Sequence, residues 1–118
     1  IWRRSYDIPP PLIDINDERH PKFNDKFKHI GDELPVGESL KNVIDRIKPF
    51  WNEYVNSIVQ KKGDNLIVAH SNSLRAIIKI LDKLSDKEII SVNVPTGVPL
   101  IYTLDSSFNV LKKEYLID

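Results

Sequence analysis

The chain has 118 residues, 41% hydrophobic and 29% charged, a composition typical of one folded globular domain or part of one, not of a disordered or fibrous protein. Its 17 Lys and Arg residues equal its 17 Asp and Glu residues, so no global field favours binding to nucleic acid or to a membrane. Cysteine is absent and no apolar run approaches a membrane span, which excludes a disulfide framework and a thiolate zinc site and leads us to expect a cytoplasmic protein.

The chain contains no methionine and opens inside a dense polar motif, Ile1-Trp2-Arg3-Arg4-Ser5-Tyr6-Asp7. A natural domain rarely starts this way, so we expect the C-terminal portion of a longer protein. Guanidinium groups hold carboxylates and phosphates with paired hydrogen bonds, which makes Arg3 and Arg4 candidates for binding a small anionic substrate. The alternative is an exposed arginine pair stacked on Trp2 and Tyr6.

Residues 12–37 have mixed charge and little periodicity, which predicts a long loop with room for one short helical turn. We expect its two histidines, His20 and His29, to be solvated, because nothing beside them completes a metal or acid–base set. Residues 38–62 have the clearest helical pattern, with Pro49 predicted to kink the helix. Their apolar stripe predicts a core face and not a partner groove: Leu40, Val43, Ile44, Ile47, Trp51, Tyr54, Val55 and Ile58.

A short uncharged run, Leu66 to Ala69, ends at His70 and predicts a strand buried on both faces. Helix-capping residues follow it from Ser71 to Ser73, and apolar residues then recur at helical spacing to about Leu84. The pattern predicts strand, tight turn and helix, with His70 at the carboxyl end of the strand. Ligands of open α/β sheets gather at that edge, and the N–H groups of the next helix suit phosphate.

His70 has two interpretations, a structural histidine bonded to its neighbours or a functional group that faces an anion. In the second, a protonated imidazole would stabilise a transferring phosphoryl group or a neutral one would attack phosphorus, with Ser71 and Asn72 as further donors. The motifs of a serine-hydrolase elbow, a P-loop and a dinucleotide loop are all absent. The three histidines are scattered, so no metal site is expected.

The last third of the chain predicts one helix and one hairpin. Ser85 to Glu88 has the spacing of a capping box and predicts a short helix. Residues 100–104 and 110–116 are strand-like and are joined by residues 105–109, which predicts a hairpin. The residues therefore support an α/β fold with a parallel-type buried strand and a terminal hairpin.

Five motifs, in order, extend over nearly the whole chain: Trp2-Arg3-Arg4-Ser5-Tyr6-Asp7-Ile8-Pro9-Pro10-Pro11, Leu34-Pro35…Glu38-Ser39-Leu40, Pro49-Phe50-Trp51-Asn52-Glu53, Ala69-His70-Ser71-Asn72-Ser73-Leu74-Arg75-Ala76 and Asn93-Val94-Pro95-Thr96-Gly97-Val98-Pro99-Leu100. Together they resemble the 2,3-bisphosphoglycerate-dependent phosphoglycerate mutases, a family of the histidine phosphatase superfamily. The match covers only the C-terminal half of the family's chain, so residues 1–118 are expected to be the C-terminal portion of a single phosphoglycerate mutase-like domain. The resemblance implies a three-layer α/β/α fold with a mostly parallel mixed sheet, in which the strand ending at His70 lies beside the missing strand that carries the nucleophile.

The resemblance also implies a role for each site residue. Arg3 and Arg4 are similar to the arginine pair that holds the substrate's carboxylate and phosphate groups. His70 is similar to the second active-site histidine, which contacts the phosphoryl group in transit. Asn72, with the backbone of Ser71, is similar to part of the same phosphate pocket. The family usually has glycine where this chain has Ser71, so a side chain there would narrow the pocket or add a donor.

The implied activity is that of a glycolytic and gluconeogenic isomerase. It interconverts 3-phosphoglycerate and 2-phosphoglycerate through a phosphohistidine, is primed by 2,3-bisphosphoglycerate and needs no metal. The family's nucleophilic histidine, in an Arg-His-Gly motif, and its acid–base glutamate lie upstream and are not in this sequence, so we expect this chain alone to be inactive.

The expected partners are a small phosphorylated sugar acid, the missing N-terminal half of the same protein, and further copies of the protein in a dimer or tetramer. Neither nucleic acid nor a membrane is expected. Two alternatives stay open. One is a histidine-type phosphatase of the same superfamily, and the other is a non-catalytic anion-binding module in which Arg3 and Arg4 dock an acidic partner.

Overall fold

The structure, a computed structural model, describes residues 5–30, 34, 37–58 and 63–117. Within these residues a 3₁₀ turn is followed by three helices and two strands: Pro21–Phe23, α1 (Leu40–Ile58), α2 (Ser71–Asp82), α3 (Asp86–Ile90), β1 (Leu100–Leu104) and β2 (Val110–Tyr115). None of the helices in these ranges combines the length and the apolar character that a membrane span requires.

The first helix, α1, begins two residues after the predicted start and buries the first five residues of the predicted stripe, whereas Tyr54, Val55 and Ile58 are half-buried. The Ser39 hydroxyl accepts the backbone N–H of Asn42 at 3.2 Å, while Asn42 Oδ1 accepts the N–H of Ser39 at 2.9 Å. This reciprocal pair satisfies two donors that a helix N-terminus leaves without partners. The helix runs through Pro49, which is exposed, and the last predicted residues, 59–62, lie outside the described residues. The buried face, only 1–8% exposed, consists of Leu40, Val43, Ile44, Ile47 and Trp51.

The second helix, α2, packs on α1 through its own apolar face. Ala76, Ile77 and, from α3, Ile89 join the α1 stripe in one core. Burying an isoleucine side chain contributes roughly 1.5–3 kcal/mol, so this core is the main stabilising feature of the three helices. The helix ends at Lys83, whose φ of 54° is left-handed and whose N–H donates to the Lys79 carbonyl. The predicted end at about Leu84 is therefore confirmed to within two residues.

The third helix, α3, confirms the predicted capping box. Ser85 Oγ accepts the N–H of Glu88 at 3.1 Å, and Glu88 Oε1 accepts the N–H of Ser85 at 3.2 Å. Hydrogen bonds from the side chain and the backbone N–H of Ser85 to the carboxylate favour its charged form and lower the pKa of Glu88. Such local side-chain chemistry explains why a helix of only five residues starts where the sequence alone indicated.

The predicted buried strand at Leu66 to Ala69 is wrong for this structure. Residues 64–70 form neither strand nor helix, and Leu66 is 87% and Val68 85% exposed. A strand buried on both faces needs neighbouring strands and covering side chains, and no other described residue pairs with this segment. The sheet of the described residues is instead two-stranded and antiparallel, so the mostly parallel sheet is not observed.

The expectation that His20 is solvated is also wrong, whereas His29 is exposed as expected. His20 is 1% exposed, and its Nδ1 accepts the N–H of Lys22 at 3.1 Å at the start of the 3₁₀ turn. The cause is a series of tight turns in which the N–H of Asp17 bonds Asp14 and that of His20 bonds Asp17, each at 2.9 Å. These turns fold the loop around the imidazole, beside a cavity of about 380 Å³.

The strands β1 and β2 form the predicted antiparallel hairpin, with Leu100 opposite Tyr115 and a register shift after Thr103. A carboxylate at the end of α2 holds this hairpin against the helices. Asp82 Oδ1 accepts the Tyr102 hydroxyl at 3.0 Å, and Asp82 Oδ2 accepts Lys113 Nζ at 2.6 Å. Burial and the neighbouring Asp82 raise the pKa of the Tyr102 phenol.

Replacing Asp82 tests this attachment. Asp82→Asn removes the ion pair with Lys113 and weakens the acceptor for Tyr102, so we expect the free energy of unfolding to fall by about 1 kcal/mol, since the lysine is partly exposed. Urea unfolding measures the change. The matched control is Asp45→Asn, whose exposed carboxylate lies 4.0 Å from Lys48 and should matter by less than about 0.5 kcal/mol. Equal effects of the two substitutions would contradict the attachment.

Candidate functional site

His70 occupies the N-cap of α2, with φ −64° and ψ 149°. Its Nδ1 accepts the backbone N–H of Asn72 at 3.5 Å. A ring nitrogen that accepts a hydrogen bond carries no proton, so the neutral imidazole has its proton on Nε2. Because His70 is exposed, this Nε2–H is available to a ligand. The capping contact therefore favours Nε2 as the ring nitrogen that carries the proton in the neutral form.

The first turn of α2 adds further donors beside His70. Ser71 and Asn72 are exposed, and the first backbone bond of the helix runs from the Leu74 N–H to the His70 carbonyl at 3.0 Å. The Asn72 N–H is taken by His70 Nδ1, whereas the N–H groups of Ser71 and Ser73 have no acceptor within the helix, and the helix dipole places partial positive charge at this end. The structure therefore brings His70, Ser71 and Asn72 together on a turn whose chemistry suits phosphate.

Arg75 is a neighbour of this turn that the sequence did not single out. Its Nη2 donates to the Ile89 carbonyl at 2.7 Å, and its Nη1 lies 3.5 Å from Asn72 Oδ1. Burial lowers the pKa of this guanidinium, and within the described residues no carboxylate pairs with it. The available signal was the spacing of three residues from Asn72, which places both side chains on one face of a helix.

A groove of about 310 Å³ lies between α1 and the segment that leads to His70. The charge of Arg46, which lines the groove, is already paired, because Glu38 binds the guanidinium with two hydrogen bonds of 2.8 and 2.9 Å and raises its pKa. The groove therefore suits an apolar chain better than an anion. Its lining residues are Arg46, Ile47, Phe50, Ile67, Val68, Ala69, Ser73 and Ile77.

The arginine pair predicted to bind substrate, Arg3 and Arg4, lies outside the described residues. The chain next to it is held in place by Tyr6, whose carbonyl accepts the N–H of Lys41 at 2.8 Å. In the described ranges no three His, Asp or Glu residues come close enough to hold a metal ion.

A histidine on a helix N-terminus, beside an exposed asparagine amide and a partly buried arginine, is an arrangement whose chemistry suits phosphoryl groups. The chain belongs to the histidine phosphatase superfamily, branch 1, whose family model matches residues 12–113. This superfamily has an α/β fold. Membership in the superfamily, predicted from the motifs, is confirmed.

Two curated relatives of this chain carry the same enzyme name. The chain is 48% identical over 119 aligned positions to the 2,3-bisphosphoglycerate-dependent phosphoglycerate mutase of Lachnoclostridium phytofermentans (strain ATCC 700394 / DSM 18823 / ISDg). It is 43% identical, also over 119 positions, to the enzyme of the same name from Hydrogenobaculum sp. (strain Y04AAS1). Each alignment covers 100% of this chain and 48% of the relative, so the chain spans about half the length of these proteins.

His70→Asn separates the capping role of His70 from a ligand role. Asparagine is among the best N-cap residues, so α2 should persist, as measured by circular dichroism. We expect inorganic phosphate to bind about tenfold more weakly, because the Nε2–H donor is lost. Titration calorimetry measures the affinity, and His29→Asn, at an exposed loop histidine, should leave it unchanged. An unaltered affinity in His70→Asn would assign His70 to the structural role alone.

Proposed function

We propose that this chain is the C-terminal half of a 2,3-bisphosphoglycerate-dependent phosphoglycerate mutase, a glycolytic and gluconeogenic isomerase of the cytoplasm. The proposed reaction interconverts 3-phosphoglycerate and 2-phosphoglycerate. The observation that carries the proposal is the likeness of the whole chain to mutases, at 43–48% identity, with the phosphoryl-type site on α2 inside the matched stretch.

In this proposal His70 acts on the phosphoryl group in transit. Its outward Nε2–H donates to a phosphoryl oxygen, and the N–H groups of the α2 turn share the negative charge that develops there. Asn72 adds its side-chain amide, and the exposed Ser71 hydroxyl adds a donor that a glycine would lack. Arg3 and Arg4 hold the carboxylate and the other phosphate of the substrate.

The residues present also fit a primer that carries phosphate. The exposed α2 turn, with His70 Nε2–H and the Asn72 amide beside it, offers donors and no carboxylate to one phosphate of 2,3-bisphosphoglycerate. When bound, 2,3-bisphosphoglycerate supplies the phosphoryl group that primes the enzyme. This chain contributes binding and orientation of that phosphate, and no metal is required for that task.

The nucleophile of the proposed reaction is a histidine of the upstream half, which becomes phosphorylated during turnover. Groups that act as a unit lose most of the activity when one is removed, so this chain alone binds phosphate without turnover. The proposed partners of the chain are therefore its upstream half, a phosphorylated sugar acid and, in the assembled enzyme, further copies in a dimer or tetramer.

The segment from Leu66 to Ala69 is proposed to become a strand when the upstream half is present. Its side chains alternate in exposure, with Ile67 at 36% between two residues above 80%. Its backbone is without a ladder in the described part of the chain, and an apolar groove borders it. A neighbouring strand would pair with this backbone and cover the groove. The proposed result is a mostly parallel mixed sheet in a three-layer α/β/α fold.

The activity is tested by supplying the missing half. A chimera joins the upstream half of the Lachnoclostridium phytofermentans mutase to this chain. We expect the chimera, primed with 2,3-bisphosphoglycerate, to form 2-phosphoglycerate from 3-phosphoglycerate, and this chain alone to form none. His70→Ala in the chimera should reduce kcat by at least about 100-fold.

The same assay decides between the mutase and its alternatives. Release of inorganic phosphate from 3-phosphoglycerate faster than its conversion to 2-phosphoglycerate would make the protein a phosphatase of the superfamily. A chimera without either activity, whose phosphate binding is insensitive to His70→Ala, would be a non-catalytic anion-binding module.

Hydrogen exchange tests the proposed sheet. The amides of Leu66 to Ala69 should exchange within seconds in this chain alone, because they have no ladder partners, and at least about 100-fold more slowly in the chimera. The buried amide of Ile44 in α1 should be protected in both and serves as the internal control. Fast exchange of the segment in an active chimera would refute the parallel pairing.

A further inference from the structure

Asn72 can serve an anion only if its amide has the correct orientation. The side chain carries one acceptor oxygen and one NH₂ donor that are nearly equal in shape, and a phosphate accepts hydrogen bonds only from the NH₂. An exposed asparagine with no partner samples both orientations. A neighbouring donor that binds Oδ1 disfavours the orientation in which Oδ1, and not the NH₂ group, faces the anion.

Arg75 is that donor in this structure. Its Nη1 lies 3.5 Å from Asn72 Oδ1, which leaves the NH₂ group of Asn72 to face outward. Its Nη2 is anchored separately, to the carbonyls of Ile89 at 2.7 Å and Ile90 at 3.4 Å. The guanidinium can bind the Asn72 amide and the α3 carbonyls at the same time, because its donors are fixed in one plane and point in different directions.

The guanidinium of Arg75 has no other hydrogen-bond partner in the described part of the chain. Its Nε is buried and makes no hydrogen bond within the described residues, and no carboxylate there neutralises its charge. Among the residues that the structure describes, this partly buried guanidinium is held only by the carbonyl groups of Ile89 and Ile90 and by the Asn72 amide. It also ties the last residues of α3 to the phosphate-binding turn.

We propose that Arg75 is a positioning residue for Asn72, whose amide it fixes so that the NH₂ group donates to an anion on the first turn of α2. The inference rests on the proposed function for the identity of that anion, and inorganic phosphate serves as the probe. Arg75 touches no reacting atom. It acts through Asn72, and its effect therefore depends on Asn72 being present.

A double-mutant cycle measures that dependence in this chain and in the chimera. Asn72→Ala and Arg75→Met should each weaken phosphate binding about tenfold, the loss expected for one hydrogen bond to a charged group. The two together should be within about twofold of Asn72→Ala alone. A combined loss of about 100-fold would overturn the proposal, since Arg75 would then act independently of Asn72.

Two further variants separate positioning from charge and from folding. Arg75→Lys keeps the positive charge but cannot span Asn72 and Ile89, so it should bind phosphate as weakly as Arg75→Met, and full affinity would overturn the proposal. Should Arg75→Met fold poorly, Arg75→Lys provides the cycle instead. Ile89→Val loosens α3 without touching Asn72, and a loss of affinity equal to that of Arg75→Met would assign Arg75 a structural role.

The double-mutant cycle and the activity assay of the chimera test the role of Arg75 and the proposed function separately. Non-additive phosphate binding in a chimera without mutase activity would support the role of Arg75 and reject the mutase. Mutase activity with an additive cycle would reject the role of Arg75 and leave the mutase proposal intact. In an active chimera, Arg75→Met should raise KM for 3-phosphoglycerate more than it lowers kcat, because positioning acts on binding first.

Discussion

The packing of α1 against α2 is the constraint on which the rest of the structure depends. Ile44 on α1 and Ala76 on α2 are almost completely buried, and the short alanine side chain lets the two helices approach closely. This contact fixes the direction of α2 and leaves its first turn exposed. His70 and Asn72 lie on or beside that turn, so an apolar core determines the position of the proposed phosphate site.

Polar contacts at the two ends of α2 attach α3 and the hairpin to this helix. Arg75 reaches the carbonyl of Ile89 near the start of the helix, and Asp82 holds Tyr102 and Lys113 at its end. Such contacts contribute about 1 kcal/mol each in partly exposed places, less than the burial of one isoleucine. The hairpin is therefore held more loosely than the helices, and the free energy of the fold is concentrated in the α1–α2–α3 core.

Sequence reasoning succeeded where structure is determined locally and failed where it depends on distant partners. The α1 stripe, the Ser85 capping box and the hairpin each arise from residues that are close together in the sequence, so periodicity and turn chemistry predicted them. The strand at Leu66 to Ala69 needs pairing partners that no described residue supplies. The burial of His20 comes from a series of irregular turns, which leave no periodic signal. In the site, His70 was predicted by its place before a helix, whereas Arg75 matters through a contact with α3 that spacing alone does not reveal.

The α2 turn and the segment that precedes His70 differ in how well the described residues support them. The α2 turn is positioned by the α1 core, so donors for phosphate are in place without any further chain. The backbone that leads into His70 has no such support, because Leu66 and Val68 face solvent and the apolar groove beside them is open. On the proposed function, phosphate affinity and turnover should therefore be separable in this molecule, since the first would require only the helices around the α2 turn and the second would also require the upstream half.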